Sequence, residues 1–230
     1  METVEYRVSP GLHLRRIFLK AATRTVFHLL GGVRFTGLEN IPKSGAYIVA
    51  ANHISIFDPP LALAFWPEML EVIGAVEVFT RPFQNRLVKL YGTIPVHRGE
   101  VDRELLRMVL ALLRSGRRLL IAPEGGRSHA TAIRRAKPGI AYIVEAARVP
   151  VLPLGIVGTT DDFLARALRF ERPRLELRIG KPMVLPPIAG TGAERHASRQ
   201  RNADLVMQQI AALLPAEYRG VYADPANLPA

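Results

Sequence analysis

Apolar positions along this chain follow two rhythms. Short continuous runs such as Ala46 to Ala51 alternate with longer stretches in which apolar residues return every three or four positions. The first rhythm marks buried strands and the second marks amphipathic helices. Leu12 to Leu30 reads as the first helix. A strand near Val33 to Gly37 follows, then a turn at Ile41 to Gly45 with its Pro and Gly, then a strand from Ala46 to Ala51. Next come a helix over Pro59 to Phe65, a strand over Glu71 to Val76 and a helix over Gln84 to Leu90. Glu104 to Arg114 sets Leu105, Met108, Val109 and Leu112 at helical spacing, with Gly116 as the stop. Strands are expected at Arg118 to Ala122, Val151 to Ile156 and Leu175 to Ile179, with a helix from Pro138 to Ala147 between the first two. Asp161 and Asp162 read as a helix start, and Ala193 to Leu214 as the last helix. Strands separated by helices predict an α/β fold: a single domain with a mixed, largely parallel sheet covered by helices, plus an N-terminal amphipathic helix.

Composition narrows this picture. The 230 residues are 49% hydrophobic, enough for one domain that buries about 70 to 75% of its unfolded surface. The chain has no cysteine, which excludes a disulfide framework, a thiolate zinc site and a thiol nucleophile. The histidines are scattered without metal-ligand spacing, so no metal is expected. No run approaches the roughly 18 to 20 apolar residues of a spanning helix, and the N-terminus has no signal-peptide pattern. The expectation is a body facing the cytosol.

A net charge of +11 points to a polyanionic partner, either anionic lipid headgroups or nucleic acid. In the first helix Arg16, Lys20 and Arg24 recur every four residues and form a stripe, while Leu14, Ile17, Phe18, Ala21 and Leu29 lie on another face. Such a helix can lie in a membrane interface, each basic residue adding at most about 1 kcal/mol near an anionic surface. It can equally pack on the domain and leave its basic face in water. The expected division is residues 1 to 32 as a basic membrane-interface segment and residues 33 to 230 as the main domain.

Candidate chemistry sits at the ends of the apolar runs. Asn52-His53-Ile54-Ser55-Ile56-Phe57-Asp58 follows the strand at Ala46 to Ala51. A carboxylate bonded to one ring nitrogen of a histidine leaves the other free to take a hydroxyl proton. Asp58 also precedes Pro59 and Pro60, which suits a plain helix N-cap. Downstream, Pro123-Glu124-Gly125-Gly126-Arg127-Ser128 offers glycines for close backbone approach and an arginine that can fork onto phosphate; it also fits an ordinary polar turn. Between them, Tyr91 to Gly99 holds a short apolar run ending at Arg98, which by itself reads as an edge strand with a solvated arginine. No serine-elbow, phosphate-loop, dinucleotide or zinc-protease motif is present.

In this order, the stretches resemble the glycerolipid acyltransferase superfamily, typified by the 1-acylglycerol-3-phosphate acyltransferases. The resemblance rests on Asn52, His53, Ser55 and Asp58; on Gly92, Ile94 and Arg98; on Pro123, Glu124, Gly125, Arg127 and Ser128 with Lys137 and Gly139 beyond; and on Val149 to Leu154. It spans residues 33 to 160, with a family-like tail near Tyr218 to Tyr222. It implies acyl transfer from acyl-CoA or acyl-carrier protein to the free hydroxyl of 1-acylglycerol-3-phosphate, with no bound cofactor. His53 and Asp58 would be the general-base pair. Arg98, Arg127 and Lys137 would hold the acceptor phosphate, with Glu124, Gly125, Gly126 and Ser128 in the same binding loop. Glu124 would either bond an acceptor hydroxyl or anchor an arginine. Leu61, Phe65, Phe79 and Phe83 would either line an acyl channel or pack the core. Implied partners are a lysophospholipid, the acyl donor and an anionic membrane surface at the cytoplasmic face, without nucleic acid. Gly126, where Thr is usual, and His97, where Asp is common, leave room for another lyso-lipid or glycolipid acceptor. A basic module that binds membrane or nucleic acid without catalysis is the reading from another class.

Overall fold

Strand β2 (Ile48–Ala51) lies at the centre of the sheet, with all four residues buried. Its residues are apolar on both faces, as a strand covered from both sides requires. The computed structural model describes residues 6–97, 103–128 and 130–224. The other strands are β1 (Gly32–Thr36), β3 (Leu70–Ala75), β4 (Ile94–Val96), β5 (Arg118–Ile121), β6 (Val151–Val157) and β7 (Arg174–Ile179). They form one seven-stranded sheet in the order β1-β7-β6-β2-β5-β3-β4. β2 to β6 run parallel; β7 is antiparallel to β6, and β1 is parallel to β7. The sheet is therefore mixed and largely parallel, as the alternation of strands and helices predicts.

Alternate β2 side chains feed two cores. Ile48 and Ala50 face a layer made by α4 (Arg103–Arg114), α5 (Gly139–Ala147) and α7 (Gly192–Leu213). Val49 and Ala51 face α1 (Pro10–Leu30), α2 (Asp58–Phe65), α3 (Gln84–Tyr91) and α6 (Phe163–Leu168). α6 begins just past Asp161 and Asp162, the expected helix start. Among the described residues four 3-10 turns, at Leu38–Asn40, Val76–Phe79, Ala216–Tyr218 and Gly220–Tyr222, had no sequence signature because segments so short carry no hydrophobic period.

The orientation of α1 overturns the expectation of a solvated or lipid-facing basic stripe. Arg16 is completely buried, donating from Nη1 and Nη2 to the two carboxylate oxygens of Glu71 at 2.8 and 2.7 Å and from Nε to the Tyr91 carbonyl at 2.7 Å. Lys20 donates to the carbonyls of Trp66 and, at 3.1 Å, Pro67. The Arg24 guanidinium sits 5.2 Å from the Phe65 ring centre. α2 and α3 end here, and the last carbonyls of a helix lack internal partners and carry partial negative charge. The stripe caps those two helix ends. The apolar side of α1 is turned outward instead: Leu14, Ile17, Phe18, Val26 and Leu29 are all exposed.

Candidate active site

Three adjacent strands, β6, β2 and β5, deliver the site at their C-terminal ends. The chain leaves β2 towards one layer of helices and leaves β5 towards the other, and the crevice between such departures is where open α/β sheets place ligands. At the end of β2 the buried Asn52 amide donates to the Ile156 carbonyl at 2.9 Å and accepts from the Ile156 N–H at 2.7 Å. This staples the start of the His53 loop to β6.

His53 Nδ1 lies 3.0 Å from Asp58 Oδ2. A carboxylate only accepts, so the shared proton sits on Nδ1 and Nε2 keeps its lone pair. Among the described residues Nε2 has no hydrogen-bond partner, and the imidazole side chain is 21% exposed against 2% for Asp58. The N-cap reading of Asp58 fails: Phe57 occupies the cap position, and Asp58 is the first helical residue. Its carboxylate turns back into the loop, where Oδ2 also accepts the N–H groups of Ile54 and Ser55, both at 2.7 Å. Oδ1 accepts the hydroxyl of the buried Thr159, just past β6. Pro59 and Pro60 occupy the first turn of α2 without loss, because N–H groups there have no helical acceptor.

Glu124 and Ser128 act on the histidine itself. Glu124 Oε1 accepts the His53 N–H at 2.9 Å, and the Ser128 N–H donates to the His53 carbonyl at 2.8 Å, so the histidine backbone is held on both sides. Glu124 Oε2 accepts the Arg134 N–H at 2.9 Å. Burial pushes the Glu124 carboxyl above its ordinary range, against the pull of these two N–H groups. Arg134 Nε lies 3.9 Å from the same Oε2. The Ser128 hydroxyl donates to the Ala132 carbonyl at 2.5 Å.

Between Glu124 and Ser128, which hold the His53 backbone, the chain runs through Gly125, Gly126 and Arg127, and Lys137 lies against this turn. Gly125 has φ +69°, and a Cβ built there would come within 2.7 Å of Lys137 Cδ. The Lys137 stem lies across the turn where only a glycine leaves room, and its N–H donates to the Pro123 carbonyl at 2.9 Å. Arg127 is half-buried one residue before Ser128. Arg134, which sequence reading passed over, donates from Nη2 to the Gly126 carbonyl at 2.7 Å and is itself half-exposed beside the loop. Arg98 lies outside the described residues. Leu61 and Phe65 are core residues, whereas Phe83 is 83% exposed. Thr159 left no local signal either, since it is 101 positions from Asp58.

The ends of neighbouring parallel strands thus bring together a carboxylate-bonded imidazole, a glycine turn and basic side chains. The sequence model of the Acyltransferase family matches residues 32–157, and the chain belongs to that family. It is 28% identical to the 1-acyl-sn-glycerol-3-phosphate acyltransferase of Borreliella burgdorferi over 59% of this chain and 56% of that one. It is 31% identical to a lyso-ornithine lipid O-acyltransferase of Pseudomonas aeruginosa, over 63% and 60% respectively. The chain thus spans less than two thirds of either relative. Among solved structures, the 1-acyl-sn-glycerophosphate (LPA) acyltransferase PlsC of Thermotoga maritima superposes with a TM-score of 0.58 at 26% identity, covering 83% of this chain and 78% of that one.

Proposed function

We propose that this protein transfers a fatty acyl group from acyl-CoA or acyl-carrier protein to the free hydroxyl of 1-acylglycerol-3-phosphate, giving phosphatidate. The observation that carries this reading is the His53 to Asp58 contact at 3.0 Å, with Nε2 left without a partner among the described residues. His53 Nε2 takes the proton of the acceptor hydroxyl as its oxygen attacks the thioester carbonyl carbon. The tetrahedral intermediate collapses, the carbon–sulfur bond breaks, and the thiolate recovers the proton from His53. No acyl-enzyme and no bound cofactor take part. Asp58 steadies the positive charge that the imidazole gains in between. Arg127, Lys137 and Arg98 hold the acceptor phosphate, and Arg134 joins them from the far side of the turn.

The membrane reading keeps its partner and changes its surface. The outward side of α1, with Phe18 and Leu29, together with Leu87 and Leu90 of α3 and Phe83 before it, forms an exposed apolar face. Arg15, Arg86 and Lys89 line the groove between the two helices, and among the described residues none of the three meets a carboxylate. An apolar face with a basic border suits an anionic bilayer surface at its cytoplasmic side, where the acyl donors are found. Among the described residues no helix is long and apolar enough to cross a membrane. Deleting α1 would strip Arg16 from Glu71, so the cleaner variant is Phe18→Asp with Leu29→Asp. It should lose sedimentation with anionic vesicles while keeping its thermal midpoint; undiminished sedimentation would refute the surface.

The activity is tested by mass spectrometry of lipid products from purified protein, an acyl-CoA and a panel of lyso-acceptors, with His53→Ala alongside. New phosphatidate from the wild type alone supports the reaction and the base. Product only from lyso-ornithine lipid would move the acceptor to the second reading, which the Pseudomonas relative and the Gly126 and His97 departures favour. No product with either donor class would leave a basic binding module.

A further inference from the structure

We infer that Thr159 is a positioning residue for the general-base pair, setting the plane of the Asp58 carboxylate and through it the plane of the His53 ring. This inference rests on the acyl-transfer reading of the His53 site. A carboxylate rotates about its terminal torsion with only a shallow, twofold preference, so one anchored oxygen does not fix its plane. Oδ2 is anchored by three donors: the imidazole and the N–H groups of Ile54 and Ser55. All three lie on the same short loop, so they move with it. Oδ1 has one donor among the described residues, the Thr159 hydroxyl, which lies just past the end of β6 and outside that loop. Thr159 has no exposed surface and Asp58 only 1%, so water cannot replace a missing hydroxyl without opening the site.

Thr159 is itself held in place. Gly158 before it has φ +92°, and a Cβ there would lie 2.0 Å from the Arg174 carbonyl oxygen, so the turn admits no side chain. The Gly158 N–H donates to the Tyr218 hydroxyl at 3.1 Å, and Tyr218 also accepts, at its carbonyl, the Ile133 N–H at 2.9 Å. Two residues earlier, Asn52 ties Ile156 to the start of the His53 loop in both directions. The Thr159 hydroxyl is thus fixed relative to β2 as well as β6, which is what a reference point for Asp58 requires. An aligned carboxylate keeps the Nε2 lone pair aimed at the acceptor hydroxyl, a requirement on the reaction geometry and not on substrate affinity.

The test compares Thr159→Val, which keeps shape and loses the donor, with Thr159→Ser, which keeps the donor and loses the methyl. Thr160→Val is the control, since the Thr160 hydroxyl bonds Asp162 at the surface. Removing one hydrogen bond to a charged group should lower kcat of Thr159→Val about 10- to 100-fold. KM for donor and acceptor should hold, Thr159→Ser should recover most of the loss, and Thr160→Val should match the wild type. An impaired Thr159→Ser, a rise in KM with kcat unchanged, or full turnover in Thr159→Val would each overturn the inference. A second readout separates it from the activity reading: the proton resonance of His53 Nδ1–H, recorded without substrate. It should move in Thr159→Val and return in Thr159→Ser, and an unmoved resonance would overturn the positioning role even if the wild type transferred no acyl group.

Discussion

His53 has one ring nitrogen committed to Asp58 and the other without a partner among the described residues, so exchange of the carboxylate is more informative than its removal. Asp58→Asn keeps the volume and, with its amide oxygen in the place of Oδ2, keeps an acceptor opposite Nδ1 but removes the negative charge that steadies the imidazolium. It should lower kcat by about 100- to 10,000-fold, the span of a general base, with the thermal midpoint little changed if the amide oxygen still meets the Ile54 and Ser55 N–H groups. Steady-state kinetics beside thermal melts check this. Gly125 marks a different constraint, because its φ of +69° is one that a β-carbon resists. Gly125→Ala should destabilise the fold by about 1 to 2 kcal/mol in urea titrations and raise KM for the acceptor as Lys137 is pushed aside. At this scale the sequence was legible for residue types. His53 meets Asp58 and Gly125 lies against Lys137, while Glu124 and Ser128 turn out to hold the histidine backbone. Nothing in a local motif says which way a side chain turns, and their partner is about 70 positions away.

α1 shows how an element can be foreseen in place and length yet misjudged in orientation. Its period marks two faces, and the usual inference puts the apolar one inward. That inference fails because α2 and α3 end beneath α1 and their free carbonyls attract the cations at positions 16 and 20. Arg16 is the strictest case, since Glu71 would be left as a fully buried charge without it. Arg16→Ala should cost about 3 kcal/mol, the lower end for breaking a buried pair, because Arg117 at 3.0 Å and Tyr6 at 2.7 Å still reach Glu71. Chemical denaturation measures it. The C-terminal 3-10 turns, unforeseen as elements, carry a similar load. Tyr218 holds Gly158, and the Tyr222 hydroxyl accepts the Ala136 N–H at 2.9 Å and donates to Asp204 at 2.6 Å. Both loops of the site are tied down from the end of the chain.

The pH response belongs to the whole molecule because it adds groups from every layer. Burial alone would raise the Glu71 carboxyl, yet the bonds and charge of Arg16, with help from Tyr6 and Arg117, bring it below its ordinary 4.5. A depressed acid contributes stability that is present above 4.5 and is lost as pH falls through the folded value. The thermal midpoint should therefore drop as pH falls below 4.5, and Glu71→Gln, though less stable at neutral pH, should show a shallower drop. Glu124 works in the opposite sense: burial raises it, so its contribution declines as pH rises past the ordinary value.

Read along the chain alone, the class of fold and nearly every strand and helix were legible, as was the contact of His53 with Asp58. Hydrophobic period, turn residues and short motifs are local, and local physics is written along the chain. Folding in three dimensions set which strands neighbour β2, which face of α1 meets water, that Asp58 supports a turn as well as an imidazole, and that Thr159 reaches it from just past β6. Those outcomes turn on pairings between distant segments, where a buried polar group takes whatever partner the packing brings within reach.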